Sequence, residues 1–269
     1  MLRLSALYRY PLKSGRGERR QHSSLDELGL SGDRRWMVVD EASGRFLTQR
    51  AVAGMSQLSA LWNAAGGLTL SAPGRLALEV ALPSADQSLR GVTLWSDTLR
   101  VPDAGDEAAA WLSEFIGRPV RLVHMPPERA RTTQAGYGKE DDRVAFADGF
   151  PLLLIGQASL EDLSRKVGRP LEMLRFRPNL VIEGGSAFIE DQWKRIRIGD
   201  IDFRVIKPCS RCILTTIDPQ SGVRSVDREP LTTLKTYREQ GGDVMFGQNL
   251  VNDGQGRLEV GMPVTVLES

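Results

Sequence analysis

The amino-acid sequence predicts a mostly β protein with a few helices, an α+β fold. Short strand-like segments, separated by turns that contain glycine or proline, recur along the chain. Helical periodicity is confined to three segments in the middle and C-terminal parts. The chain has 269 residues, of which 41% are hydrophobic and 26% charged, so it can bury a sizeable core without disulfide bonds. We expect a small β domain followed by a larger β domain that carries the helices.

The N-terminal region, up to about residue 99, contains the clearest turns. Its first residues alternate in polarity and predict a strand rather than a signal peptide. The segments 36–48 and 68–80 each predict a hairpin, because strand-like residues flank Ser43-Gly44 in the first and Pro73-Gly74 in the second. This spacing of short strands is typical of a β-barrel or sandwich.

Three helices are predicted after this region. The first spans about Asp106 to Ile116, with Asp106 as its N-cap and Gly117 as its stop. The second spans about Leu160 to Val167 and has Ser159 as its N-cap. The third begins at Pro230, a residue that is favoured in the first turn of a helix.

Further strands are predicted around these helices, at Val120–His124, Leu180–Glu183 and in a hairpin that joins Lys194–Ile198 to Ile201–Ile206. The charged segment 126–142 predicts a long loop, and such loops are often functional.

We place the division between the domains at residues 105 and 106. The first domain, 1–105, is then β-barrel-like, and the second, 106–269, is mostly β with the three helices.

Charge and cysteine content exclude several function classes. The formal net charge of +1 gives no reason to expect a nucleic acid or an acidic membrane as partner. No apolar run approaches the roughly 18 residues that a membrane-spanning helix needs. Two cysteines cannot form a disulfide framework, which indicates a reducing compartment. We expect a soluble, cytoplasmic protein.

The strongest chemical signal is the pair Cys209 and Cys212, the only cysteines in the chain. They lie in the string Lys207-Pro208-Cys209-Ser210-Arg211-Cys212. Neighbouring positive charge favours the thiolate over the thiol, and a thiolate can bind a soft metal, exchange with disulfides or attack an electrophile.

Four interpretations of this C-x-x-C motif compete. A thioredoxin-like dithiol needs a helix after the motif, whereas residues 213–217 are β-branched and strand-like. A structural zinc site needs two more ligands, and only His22 and His124 remain, without finger-like spacing. Two buried small residues without chemistry are the third interpretation. The fourth is a thiolate that binds a redox metal or carries sulfur.

Six segments, taken together, carry a family resemblance. They are distributed along nearly the whole chain: Tyr10–Ser14, Gly32–Trp36, Phe146–Leu160, Phe176–Ile182, Lys207–Gly222 and Phe246–Asn249. In this order they resemble the MOSC domain with its N-terminal β-barrel domain, and most closely the mitochondrial amidoxime-reducing component and its bacterial relatives. The Phe176-Arg177-Pro178-Asn179 segment matches the family pattern almost letter for letter.

The resemblance implies a molybdenum pyranopterin cofactor, with Cys212 as the direct molybdenum ligand and catalytic residue. Cys209 is then a neighbour without an assigned role. The other cofactor-binding residues implied are Lys13, Ser14 and Arg34 at the phosphate end, Arg177 and Asn179 at the pterin, Ser210 and Arg211 beside the ligand, Asp148 near the phosphate, and Asn249. Gly149 and Phe150 stand where some relatives have hydroxyl residues.

The basic residues of this set lie inside apolar, strand-like segments. An unpaired charge is costly to bury there, which favours a binding role for them. Asp218, next to Pro219, is predicted to form a turn rather than to act as an acid. Both histidines lie far from the motifs in sequence, which argues against Ser/His or Cys/His hydrolysis.

The activity implied is the reduction of N-hydroxylated compounds, namely hydroxylamines, amidoximes and N-hydroxylated bases, by oxygen-atom transfer. The sequence has no cysteine cluster for an iron–sulfur centre, so we expect a separate electron-donor protein of the ferredoxin or flavin reductase type. A carrier of the molybdenum cofactor or of sulfur, with Cys212 as persulfide or cofactor ligand, is the alternative. A pterin-binding module without turnover is a third possibility. The family also carries a pyridoxal phosphate label.

Overall fold

The computed structural model describes residues 1–84 and 88–269 and confirms a mostly β fold. Within these residues the helices are α1 (Asp106–Ile116), α2 (Gln157–Val167) and α3 (Leu231–Arg238). The strands are β1 (Arg3–Arg9), β2 (Glu18–Arg20), β3 (His22–Asp26), β4 (Gly29–Leu30), β5 (Trp36–Asp40), β6 (Ser59–Trp62), β7 (Leu68–Ser71), β8 (Leu78–Val80), β9 (Leu89–Leu94), β10 (Asp97–Pro102), β11 (Val120–His124), β12 (Arg131–Thr132), β13 (Arg143–Val144), β14 (Leu152–Gly156), β15 (Leu180–Glu183), β16 (Arg195–Ile198), β17 (Ile201–Arg211), β18 (Glu239–Gln240), β19 (Asp243–Asn252), β20 (Gly256–Glu259) and β21 (Val264–Glu268).

Short 3₁₀ turns connect several of these elements. They lie at Ala53–Gln57, Pro127–Arg129, Met173–Phe176, Ile189–Gln192 and Ile213–Thr216. No helix among the described residues is both long enough and apolar enough to cross a membrane.

The largest sheet has nine strands, in the order β2-β1-β15-β14-β19-β17-β16-β21, with β18 paired to β19. Its strands pair antiparallel except for β14 and β15, which run parallel and are connected through α2. Leu154, Leu180 and Phe203 are fully buried in the core of this sheet. Helices α2 and α3 cover part of the sheet through a second apolar cluster that contains Phe176 and Phe246.

A separate core lies in the N-terminal half of the chain. Trp36, Leu112 and Leu122 are fully buried in it, and it brings together β5, α1, β11 and the β6-β7-β8 sheet. Helix α1 and β11 follow the predicted division at residues 105 and 106 but pack on this N-terminal core, whereas β1 precedes the division and lies in the large sheet. Elements from each side of the predicted division therefore pack with the other side, and the position of the division stays a prediction.

Most predicted elements are present. Helix α1, β11 and β15 have the predicted bounds, and β7 pairs with β8 as the predicted hairpin at 68–80. The hairpin at Gly199-Asp200 is also confirmed, and its second strand, β17, continues as far as Arg211.

Two N-cap predictions are wrong because a tertiary partner takes the side chain, and one predicted hairpin is shorter than expected. The N-cap of α1 is Gly105, since the Asp106 carboxylate instead accepts a hydrogen bond from Arg121. Helix α2 already begins at Gln157, and the Ser159 hydroxyl donates to the buried Glu190 rather than capping the helix. The hairpin at 36–48 is present but short: the Val39–Phe46 bridge is flanked by hydrogen bonds from the Asp40 N–H to Arg45 and from the Leu47 N–H to Val38, while β11 pairs with β5 along a full ladder.

The strand-like segment 213–217 is a further local error. It forms a 3₁₀ turn at Ile213–Thr216. The Cys212 carbonyl accepts bonds from the N–H and the hydroxyl of Thr215, so the chain leaves the sheet directly after β17. Tertiary context overrides the strand preference of β-branched residues here.

Candidate functional site

All ten predicted site residues lie on the wall of one cleft. They come from loops next to several strands and from strands β17 and β19 themselves: Lys13, Ser14, Arg34, Asp148, Arg177, Asn179, Ser210, Arg211, Cys212 and Asn249. The structure thus brings the set together, whereas the role of each residue stays a prediction.

Cys212 reaches the cleft because of how β17 ends. The pairing of β17 with β19 is irregular between Pro208 and Ser210, and the strand stops at Arg211. Cys212 follows in an extended conformation and is half-buried. The Nε–H of Arg50 donates to the Cys212 sulfur at 3.3 Å. This contact places a positive charge beside the sulfur.

The loop after Cys212 is fixed by Arg175. Its guanidinium donates to the carbonyls of Thr215 and Ile217, at 3.2 and 2.9 Å. The Asp218 carboxylate accepts the backbone N–H groups of Gln220 and Ser221, which confirms that Asp218 forms a turn. Together these contacts hold the segment that carries Cys212 in one conformation.

Cys209 has different surroundings. Its sulfur lies 3.1 Å from Nη1 of Arg211, and its side chain packs against the apolar cluster beneath α2 and α3. The sulfurs of Cys209 and Cys212 are not bonded to each other. Cys209 therefore contacts the core and Arg211, and Cys212 contacts Arg50.

Lys13 and Asp148 form an ion pair at one end of the cleft. The Lys13 ammonium donates to the Phe146 carbonyl at 2.7 Å and to the Asp148 carboxylate. The Asp148 side chain is exposed to solvent in the cleft, although many protein atoms surround it. Burial by itself would raise the pKa of Asp148, but the Lys13 ammonium outweighs it and holds that pKa well below its usual range. Asp148 is therefore ionised.

Arg34 and Asn179 are connected within the cleft wall. The side-chain oxygen of Asn179 accepts bonds from Arg34 Nη1, at 3.0 Å, and from the Leu153 N–H, at 3.2 Å. Its amide nitrogen donates to the Tyr8 carbonyl. Asn179 thus orients Arg34, and its predicted contact with a pterin stays a prediction.

Three residues of the cleft have strained backbones. Ser14, Arg34 and Arg177 have φ angles of 63°, 47° and 57°, in the left-handed region that favours glycine. Such strain costs of the order of 1 kcal/mol or more per residue and persists where the surrounding structure enforces it, often at ligand sites. The strained conformations bring these three residues to the wall of the same cleft.

The cleft has an excess of hydrogen-bond donors and positive charge. Six basic side chains and one acidic side chain line it. Among the described residues of this wall, Arg175 Nε, Arg177 Nη2 and Arg211 Nε are buried without an acceptor. Burial and the neighbouring Arg34 lower the pKa of Arg177 to about 10, so this guanidinium is still charged at neutral pH. Buried donors of this kind need an acceptor, and here an anionic ligand would supply one.

Sequence reasoning missed Arg50, Trp95 and Arg175. The Arg50 guanidinium lies over the Trp95 ring, 5.0 Å from its centre, and the Trp95 indole donates to Asp148 at 3.3 Å. These residues belong to no recognised motif, and only the tertiary fold brings them to the cysteine.

The zinc interpretation of the cysteine pair finds no support. In the described part of the chain, no group of three or more His, Cys, Asp or Glu residues could hold a metal ion. Neither histidine lines the cleft. His124 instead packs on Trp36, with ring centres 4.7 Å apart.

The structure therefore defines a mostly β protein with a basic cleft and a cysteine at the wall of that cleft. Residues 1–119 match the MOSC N-terminal beta barrel domain, and residues 141–265 match the MOSC domain. The chain is 34% identical to mitochondrial amidoxime-reducing component 1 of Danio rerio, covering 95% of this chain and 82% of that protein. It is 35% identical to the Mus musculus protein of the same name, covering 98% and 82%.

A third relative is the molybdenum cofactor sulfurase of Oryza sativa subsp. japonica, 32% identical over 91% of this chain and 32% of that protein. The chain belongs to the MOSC-domain family, together with the amidoxime-reducing components, and its function is associated with the molybdenum cofactor. None of these names refers to pyridoxal phosphate, so that label has no support. The cytoplasmic location stays a prediction.

Proposed function

We propose that this chain holds a molybdenum pyranopterin cofactor in the cleft and uses it to reduce hydroxylamines, amidoximes and N-hydroxylated bases. The observation that carries this proposal is the position of Cys212 in a cleft with six basic side chains, one acidic side chain and three buried donors without acceptors. The names of the relatives, amidoxime-reducing components, agree with such a substrate.

The residues present fit this cofactor. Lys13, Ser14 and Arg34 would hold its phosphate, since charged donors and a short hydroxyl suit phosphate oxygens. Arg177 and Arg211 would give their unsatisfied N–H groups to the polar edge of the pterin. Cys212 would supply the soft sulfur ligand to the metal.

When bound, the cofactor supplies a metal centre that takes up an oxygen atom and exchanges electrons in pairs. The overall reaction is R–NHOH + 2 H⁺ + 2 e⁻ → R–NH₂ + H₂O, and a separate donor protein of the ferredoxin or flavin reductase type delivers the electrons. The chain contributes position and charge: Arg175 fixes the loop after Cys212, and Arg50 keeps a positive charge beside the sulfur.

A carrier of the molybdenum cofactor or of sulfur is the second candidate. The similarity to a molybdenum cofactor sulfurase favours it, as does the access of Cys212 to the cleft. In that function Cys212 would hold a persulfide or the cofactor for delivery.

The test compares Cys212→Ser with Cys209→Ser, both produced in a host that makes the cofactor. We expect stoichiometric molybdenum in the wild type, and reduction of benzamidoxime with an added electron donor. Cys212→Ser should lose at least about a thousandfold in activity, because the metal loses its protein ligand, a change of about 4 kcal/mol. Cys209→Ser is the matched control, since its sulfur contacts Arg211 and apolar side chains. It should retain most of the activity.

Other outcomes separate the alternatives. Equal loss in both variants would favour a dithiol. Sulfur released by cyanide from a molybdenum-free protein would favour the carrier, and bound pterin without turnover would favour an inactive module. A wild type that contains no molybdenum, and does not bind cofactor added in vitro, would overturn the proposal.

A further inference from the structure

A second cleft meets the first at Cys212. The two share a wall formed by Arg50, Asp148, Gly149, Cys209, Ser210, Cys212 and Asn249. Beyond this wall the second cleft is lined by residues that the first does not contain, among them Trp95, Gln134 and Lys207. With a cofactor in the first cleft, the second gives a substrate access to the cysteine from the other side.

Two cation–aromatic pairs flank this second cleft. On one side the Arg50 guanidinium stacks over Trp95. On the other, the Lys207 ammonium lies 4.2 Å from the ring centre of Tyr137 and 3.4 Å from the side-chain oxygen of Gln134. Trp95 and Tyr137 are each 43% exposed, so both rings present open surface. Planar ligands stack well on such rings.

The charges of the second cleft are unevenly paired. Arg131 is bonded to Asp97 at 2.6 Å, and Asp148 to Lys13. Among the described residues, neither Lys207 nor Arg50 has a carboxylate oxygen within 4.0 Å. Lys207 belongs to β17 and lies opposite Asn249 of β19, so the sheet fixes its backbone beside the cysteine loop. Lys207 is therefore available to an anionic group near Cys212, and Arg50, which donates to the Cys212 sulfur, adds a second positive charge there.

We propose that the second cleft is the substrate entrance and that Lys207, together with Arg50, selects N-hydroxylated substrates that carry an anionic group. The planar part of the substrate rests on Trp95, and its carboxylate or phosphate contacts Lys207. This inference rests on the proposed function, which supplies the N-hydroxylated group of the substrate. The selection for an anionic group concerns binding and can be measured without turnover.

The test measures binding and turnover separately. Benzamidoxime is compared with 4-carboxybenzamidoxime, and N⁴-hydroxycytidine with its 5′-monophosphate, on the oxidised holoenzyme without reductant. Dissociation constants come from titration calorimetry, and kcat/KM from turnover with an electron donor. We expect the anionic member of a pair to bind about tenfold more tightly, as one charge-assisted hydrogen bond implies. The preference should shrink as salt is added.

Variants assign the preference to one side chain. Lys207→Gln should reduce the anionic-to-neutral affinity ratio about tenfold, and Lys207→Arg should restore most of it. Lys235→Gln is the control, because it removes the same charge from the exposed face of α3 and should leave the ratio unchanged. A preference within the cytidine pair alone assigns a phosphate, and one within the benzamidoxime pair alone assigns a carboxylate.

Equal affinities for the members of both pairs, or an unchanged ratio in Lys207→Gln, would overturn the inference. Failure of the proposed function looks different. A protein that reduces none of the four compounds, but binds the anionic ones in a Lys207-dependent manner, would lack the proposed activity and keep the charge-selective cleft.

Discussion

Two charged regions of this molecule use the same residue types in opposite ways. In the cluster around Asp103, the carboxylate accepts bonds from Arg90 at 2.7 Å and from Arg121 at 2.6 and 2.9 Å, and Arg121 also reaches Asp106. In the cleft around Cys212, six basic side chains face one acidic side chain, and buried donors of Arg177 and Arg211 have no acceptor. In the first region the charged groups are paired with one another within the described chain. In the second, a ligand would have to supply acceptors for the unpaired donors.

The difference teaches how a structural ion cluster can be told from a binding site. Buried polar groups in native proteins are almost always paired, so an unpaired donor calls for an explanation. The cleft also holds three strained residues, whereas none of the described residues with a positive φ belongs to the Asp103 cluster except Gly105, where glycine is suited to it. Within the described residues, the cleft combines strained backbones with unpaired donors, and the Asp103 cluster has neither apart from Gly105.

The largest effect expected from this comparison is on cofactor retention in Arg177→Met. The side chain would give charged N–H donors to the cofactor, so its loss should lower cofactor affinity about a hundredfold. The free energy of unfolding of the cofactor-free protein should change by less than about 1 kcal/mol, because a desolvated cation is removed along with its contacts. Molybdenum content and denaturant unfolding measure the two quantities. A cofactor-free protein that is strongly destabilised, with normal molybdenum content when folded, would contradict the comparison.

Arg121→Met is the matched change in the Asp103 cluster and should show the reverse pattern. It leaves the buried Asp103 carboxylate with Arg90 as its remaining basic partner. Loss of one partner from a partly buried cluster should lower the free energy of unfolding by about 2 kcal/mol. Molybdenum content and kcat should stay at wild-type values. Loss of cofactor in this variant without loss of stability would show that the cluster is not purely structural.

A smaller effect concerns His124, which lies in the N-terminal core beside Arg35. Burial and the Arg35 charge lower the pKa of His124 from 6.5 to about 4. The unfolded chain therefore binds the proton more readily than the folded one between these values. The contribution of neutral His124 to the free energy of unfolding is present in full above pH 6.5 and is lost as the pH falls towards 4. Between pH 7 and 5.5 the loss should be about 1.2 kcal/mol.

His124→Phe keeps the aromatic contact with Trp36 and removes the titration. Unfolding curves at pH 7 and 5.5 should therefore differ less for this variant than for the wild type. An identical loss of stability in the two proteins would assign the acid sensitivity to other groups.

Much of the fold could be read from local patterns. The bounds of α1, β11 and β15 follow from apolar periodicity and from the glycine that ends the helix. Prediction failed where a distant residue competes for a local group. Glu190 takes the Ser159 hydroxyl, and Arg121 takes the Asp106 carboxylate, so neither side chain caps its helix.

The candidate site divides in the same way. Residues within recognisable motifs, such as Lys13, Arg177 and Cys212, were predicted and share one cleft. Arg50 and Trp95 belong to no motif. Their contacts with Cys212 and Asp148 join parts of the chain that are far apart in sequence, so no local pattern could reveal them.

The sequence by itself determined the β-rich fold class through its periodicity and the family through its motifs, and the family resemblance then pointed to ten of the residues that line the cleft. Only the tertiary structure decided that the two cysteines have different neighbours, Arg211 for Cys209 and Arg50 for Cys212. The physical reason is that the surroundings of a sulfur depend on which distant side chains pack against it. The irregular end of β17 and the loop held by Arg175 set that packing.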